Sequence, residues 1–246
     1  MLDAYRRLFR IEHALMLAVA VLLGELLSVG IPALQILILS LCVPVFIEMG
    51  SFALNDCLDV GADRANKRKD RPIASGEVKR EHALCAAIAC YIIGVAAAFP
   101  LPPLALCIAV LFALLSVAYN FKLKELPLLG NVYIAASMAI PFLFGNLVVS
   151  GSLLPSIIAI AAVAFVAVLG REIIKSAEDV EGDVRHRNAR TLPALTGVKN
   201  SAYAAAACYL LLAPLSFLPF VLGLRANILS LGLVAITALS FVFICK

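Results

Sequence analysis

Apolar residues fill most of this chain in long runs, and a few dense knots of charge interrupt them. Eight runs of roughly 20 residues stand out, at about 11–30, 34–54, 82–99, 103–121, 128–149, 153–177, 201–221 and 227–245. A helix rises about 1.5 Å per residue, so each run can cross roughly 30 Å of hydrocarbon. The pattern predicts an all-α polytopic membrane bundle. The first run follows Arg6, Arg7 and Arg10 and imitates a signal peptide. Seven further runs and no small-residue cleavage site predict a retained helix instead.

Composition agrees. Mean hydropathy is +1.02 and only 15% of residues are charged, against about 25% in soluble domains. Lys and Arg then set the orientation. With the N-terminus in the cytoplasm of a multi-pass cell-membrane protein, the inner side holds nineteen of the 20 bases. Arg225 is the one base on the outer side. The cationic inner face suits anionic lipid and phosphate and gives no reason to invoke nucleic acid. The seven cysteines lack any metal-binding spacing and read as small apolar packing residues.

Charge is concentrated. Asn55–Arg80 and Arg171–Arg190 together hold 22 of the 36 charged residues. Each knot starts at the cytoplasmic end of a span running from outside to inside, the second and the sixth. Asp59 and Asp183 lie about half a chain apart. That spacing suggests one transmembrane domain, 1–246, built as two four-helix halves (about 1–125 and 126–246) around a central cavity. Asp56, Asp59 and Asp63 are spaced i, i+3, i+7, and Asn55, Asp59 and Asp63 i, i+4, i+8, so either way the polar groups share a helical face. Glu48 lies about 10 Å deeper on nearly the same stripe. In the sixth span Arg171, Lys175, Asp179 and Asp183 recur every four residues, Arg171 about 12 Å from Asp179. Two such buried stripes are expected to be neighbours.

Carboxylates on one face repel, by about 4 kcal/mol for a pair about 4 Å apart at an effective dielectric of about 20. Placement near the bilayer core adds about 2.5–3.5 kcal/mol each. Folding needs none of this, whereas a divalent cation reverses its sign. Oxygen donors without Cys or His favour magnesium or manganese. Magnesium shares its shell with phosphates, so two facing acidic helix ends would grip a diphosphate through bridging ions. The plain alternative, that these are merely polar inner loops, explains single lysines and arginines but not acids that recur at regular spacing while the helix is still apolar. Spacing from Asp59 fails the EF-hand pattern, and neither GxxxxGK[ST] nor GxSxG occurs. His13, His82 and His186 lack metal spacing.

These residues resemble the intramembrane, UbiA-type prenyltransferase superfamily. "NDCLDVGAD" is similar to its NDxxDxxxD motif at Asn55, Asp56, Asp59 and Asp63, and "DRPIASG" to the run that follows. "DVEGD" is similar to the second DxxxD motif at Asp179 and Asp183, and "YNFKLK" to a Tyr/Lys-bearing loop. The resemblance covers roughly residues 10–245 and implies a helical bundle, usually of nine spans against the eight read here. It also implies magnesium-dependent transfer of a prenyl group from a polyprenyl diphosphate, the six motif residues acting as metal ligands and the five aspartates as the catalytic set. "REIIKSAEDVEGDVRHRNARTLP" looks most like the archaeal digeranylgeranylglyceryl phosphate synthases, which join a geranylgeranyl group to the free hydroxyl of geranylgeranylglyceryl phosphate. An aromatic acceptor such as 4-hydroxybenzoate is the alternative.

Further roles follow from charge. Lys122, Lys124, Arg68 and Arg71 are candidate diphosphate contacts, and Tyr119 is a candidate wall for the prenyl cation. Arg171 and Lys175 either pair with neighbouring acids or bind an acceptor's phosphate. Glu48 either partners a buried base or orients and deprotonates the acceptor. Transport is the competing function class. A transport path would carry charge toward the outer side, where Glu25 stands alone.

Overall fold

A computed structural model describes residues 2–180, 191–225 and 232, and every regular element among them is helical. α1 (Leu2–Phe9) is a short surface helix, followed by α2 (Ile11–Ser28), α3 (Leu34–Ala65), α4 (Arg80–Ala98) and α5 (Pro103–Phe121). A 3-10 turn, Leu123–Glu125, leads into α6 (Leu129–Ser150) and α7 (Pro155–Glu178). α8 (Leu192–Thr196), α9 (Val198–Leu215) and α10 (Leu218–Val221) complete the described elements. Seven segments are long and apolar enough to span a membrane, α9 and α10 together forming the last. They match the first seven expected runs, and the expected run at 227–245 lies outside the described residues.

α3 is longer than its apolar run. Hydropathy fades near residue 54, yet the helix continues to Ala65 because Asn55–Ala65 holds no proline and its acids find partners on neighbouring elements. Asn66 and Lys67 end it, Lys67 adopting φ 52. α3 packs along α4, and α2 packs along α6. The α2–α6 seam is tight: a Cβ built on Gly145 would lie 2.1 Å from the Val21 carbonyl oxygen, and one on Gly24 2.3 Å from that of Phe142. Only glycine permits this approach. α7 packs on α6 and α9 and touches α2. The two charged stripes, on α3 and α7, are therefore not the packed neighbours the sequence suggests: α3 packs on α4 and α2, and α7 on α6 and α9.

The segment joining α3 to α4 is folded onto the bundle. Pro72 is buried, and Ile73 and Val78 pack in one cluster with Ala4, Leu8, Leu54 and Cys57. A turn holds them: Ser75 N donates to the Arg71 carbonyl, Val78 N donates to that of Pro72, and Gly76 takes φ 85. Burying Pro72 and Ile73 fixes where the preceding residue, Arg71, points.

Candidate active site

Asp56, on the buried face of α3, is 2% exposed and accepts two arginines, Arg71 Nη1 at 2.5 Å and Arg10 Nη2 at 3.1 Å. Asp63 lies seven residues further on the same face, also buried, with Arg71 Nε 3.9 Å from its carboxylate. One guanidinium thus bridges two acids that would otherwise repel. Asp59 accepts Lys124 Nζ at 2.6 Å and Asn55 Nδ2 at 3.0 Å, the latter a one-turn i, i+4 contact. The four residues of the first motif therefore converge with cations from three other segments.

Arg10 was read in the sequence only as positive-inside charge. It occupies the break between α1 and α2 with a left-handed φ of 44, a conformation that costs an L-residue roughly 1–2 kcal/mol. Its contacts offset that strain. The guanidinium stands 4.2 Å from the centre of the Phe52 ring while it bonds Asp56. Burial lowers its pKa, and the charges of Asp56, Glu48 and Asp63 pull it back up.

The 3-10 turn after α5 separates two lysines of the "YNFKLK" segment. Lys124 turns inward to Asp59 and its side chain is 11% exposed. Lys122, 71% exposed, pairs with Glu125. Tyr119 stacks on Tyr133 of α6 with ring centres 4.5 Å apart, and Tyr133 in turn lies 6.3 Å from Phe112. Phe112 and Tyr133 of this stack wall an apolar cavity between α2, α3, α5 and α6, lined also by Val21, Val43 and Phe144. Among the described residues Glu48 is the one charged residue lining it.

The second knot is differently disposed. Arg171 is 67% exposed and donates to Glu172 at 2.7 Å, so it is not the buried base its position suggested. Lys175 and Asp179 are also exposed, Asp179 capping the end of α7. Asp183 lies outside the described residues. Arg68 pairs with Asp70 through two bonds, of 2.9 and 2.8 Å, on the exposed side of the α3–α4 segment. Among the described residues no three His, Cys, Asp or Glu side chains converge closely enough to hold a metal by themselves. The structure brings together Asn55, Asp56, Asp59, Asp63, Lys124 and Arg71, and adds Arg10. It does not bring Lys122, Arg171 or Lys175 to them, and Arg68, bonded to Asp70, stands beside them close enough for its charge to act on Asp56 and Asp63.

The UbiA prenyltransferase family matches residues 14–246. A digeranylgeranylglyceryl phosphate synthase from Archaeoglobus fulgidus is 40% identical over 222 residues, 90% of this chain and 75% of the relative. A solved structure concerning digeranylgeranylglyceryl phosphate synthase in membranes superposes with a TM-score of 0.78 at 28% identity, over 97% of this chain and 86% of the other. A UbiA homologue from Archaeoglobus fulgidus, solved bound to GPP and Mg2+, has the same fold, with a TM-score of 0.77 at 20% identity over 98% of this chain and 86% of that one.

Proposed function

Because the chain belongs to the UbiA prenyltransferase family, we propose that it transfers a geranylgeranyl group from geranylgeranyl diphosphate to the free hydroxyl of geranylgeranylglyceryl phosphate. It is a multi-pass membrane enzyme, read here as a single domain of two pseudo-repeat halves in the cell membrane with its site toward the cytoplasm. The observation that carries the reading is the course of α3. At Val43–Glu48 this helix lines an apolar cavity, and two turns on it presents paired acids. An apolar tail and a diphosphate head need those two environments end to end.

The donor set suits magnesium, being carboxylate and amide oxygens without sulfur or imidazole. Asn55, Asp56, Asp59 and Asp63, with Asp179 and Asp183 from the second knot, would hold it. Bound there, the ion would neutralise charge growing on the leaving diphosphate as the allylic C–O bond breaks. The chain's own cations share this work. Arg71 and Lys124 already lie on Asp56 and Asp59, within reach of a phosphate held between those acids. Tyr133, on the cavity with Tyr119 stacked against it, would offer aromatic surface to the allylic cation, and the apolar wall would keep water from it.

The experiment is an acceptor choice. Purified protein with magnesium and geranylgeranyl diphosphate is offered geranylgeranylglyceryl phosphate or 4-hydroxybenzoate. The expected product is the doubly prenylated glyceryl phosphate. Conversion of the aromatic acid alone overturns the acceptor assignment.

A further inference from the structure

Glu48, Phe52 and Asp56 are spaced i, i+4, i+8 and form one stripe of α3, each step about 6 Å along the axis. Arg10 lies along this stripe. Its guanidinium covers Phe52, bonds Asp56, and is near enough to Glu48 for their charges to attract. It remains 26% exposed, so part of its planar fork is reachable. Glu48 faces the apolar cavity and, among the described residues, has no side-chain hydrogen bond or ion pair. Held at one end of the cavity is thus an oxygen acceptor with a cation one turn away, between the tail site and the acid knot.

We infer that Glu48 and Arg10 form the acceptor subsite, Glu48 taking the hydroxyl proton and Arg10 binding the acceptor's phosphate. This rests on the glyceryl phosphate reading given above. The chemistry has to dispose of a proton. The acceptor oxygen bonds the allylic carbon, the bond from that carbon to diphosphate breaks, and diphosphate leaves with the electron pair. The hydroxyl hydrogen then passes to a Glu48 carboxylate oxygen. A three-carbon glycerol places its free hydroxyl no more than two carbons from its phosphate, so both groups must be met within a short span. Glu48 and Arg10 meet that demand. Arg171 and Lys175 do not, since both are exposed on α7 and α7 contributes nothing to the cavity lining. Glu48 also works against a carboxylate acceptor, because two anions in an apolar cavity repel.

The test uses the full-length protein in lipid nanodiscs with magnesium and geranylgeranyl diphosphate. Two acceptors are compared, geranylgeranylglyceryl phosphate and its dephosphorylated alcohol. Glu48→Gln is expected to lower kcat by about 10²–10⁴-fold while both KM values change less than about threefold, with Glu48→Asp recovering part of the rate. Arg10→Lys is expected to raise the acceptor KM at least about tenfold, leave the prenyl diphosphate KM within about threefold, and erase the wild type's preference for the phosphorylated acceptor. Turnover by Glu48→Gln within twofold of wild type overturns the proton-acceptor role. An Arg10→Lys variant that weakens both substrates equally and keeps the phosphate preference overturns the binding role, leaving a strut for Asp56. If the wild type converts only an aromatic acid, the acceptor assignment fails first. Glu48→Gln is then measured on that acid, and unchanged turnover removes Glu48 as well.

Discussion

The two charged knots look alike as strings of letters and differ as structures. On α3 Asp56 and Asp63 are buried and Asp59 half-buried, and Asp56 and Asp59 each have a base within bonding distance drawn from a different part of the chain. On α7 Arg171, Lys175 and Asp179 face outward, and Arg171 turns to its own neighbour Glu172. The first knot is thus built into the fold, while the described part of the second is presented on a helix end. Acids of the first kind act on both stability and chemistry; acids of the second kind can act on chemistry alone.

The largest expected effect separates these two. Asp56→Asn should lower turnover by at least about a thousandfold. It should also destabilise the protein by about 3 kcal/mol, because Arg10 and Arg71 lose a buried counter-charge. Asp179→Asn should lower turnover by about a hundredfold yet move stability by less than about 0.5 kcal/mol, being exposed. Pyrophosphate release and thermal unfolding in the same detergent measure both. Full turnover by Asp179→Asn would remove Asp179 from the working acids.

Lys124 and Lys122 sharpen the contrast inside one short segment. Lys124→Ala strands a partly buried Asp59 and is expected to cost about 1–3 kcal/mol and about a hundredfold in turnover. Lys122→Ala removes an exposed pair with Glu125 and should change neither by more than about twofold in rate or 0.5 kcal/mol. Equal effects from the two would mean that positive charge near the turn matters and its geometry does not.

How much of this was legible in the letters divides along physical lines. The spans were readable because hydrocarbon imposes a length on apolar runs, and the α3 stripe was readable because helical spacing fixes which side chains share a face. The end of α3 was not: hydropathy stops near residue 54, but the helix runs to Ala65 once its acids find partners remote in sequence. α1 is too short and too polar, and α8, at five residues, too short, to register as apolar runs. Both lysines of "YNFKLK" were equal candidates until the 3-10 turn chose between them. Arg10 was hidden among inner-loop bases, since its role depends on a left-handed residue that nothing but the folded chain reveals. On α7 a four-residue repeat correctly placed charges on one face without saying which way that face turns.

The smallest expected effect concerns the clasp over the α3 knot. Arg7 on α1 donates to Glu77 at 2.6 Å and to the Asp70 carbonyl at 3.5 Å, tying α1 to the segment that carries Arg71. The bonds from Arg7 and Ser75 hold the Glu77 carboxyl below its ordinary value of 4.5. A carboxyl with a depressed folded-state pKa contributes stability above its unfolded pKa and loses that contribution as pH falls through the folded value. Glu77→Gln should therefore melt slightly lower than wild type at pH 7, by no more than a few degrees given its exposed position. The two curves should converge as pH drops below about 4. Turnover should follow the same course weakly, since loosening the clasp frees Arg71 to leave Asp56 and Asp63. A gap that persists unchanged at pH 3 would mean that Glu77 acts through packing and not through its charge, and that burial of Pro72 and Ile73 alone aims Arg71.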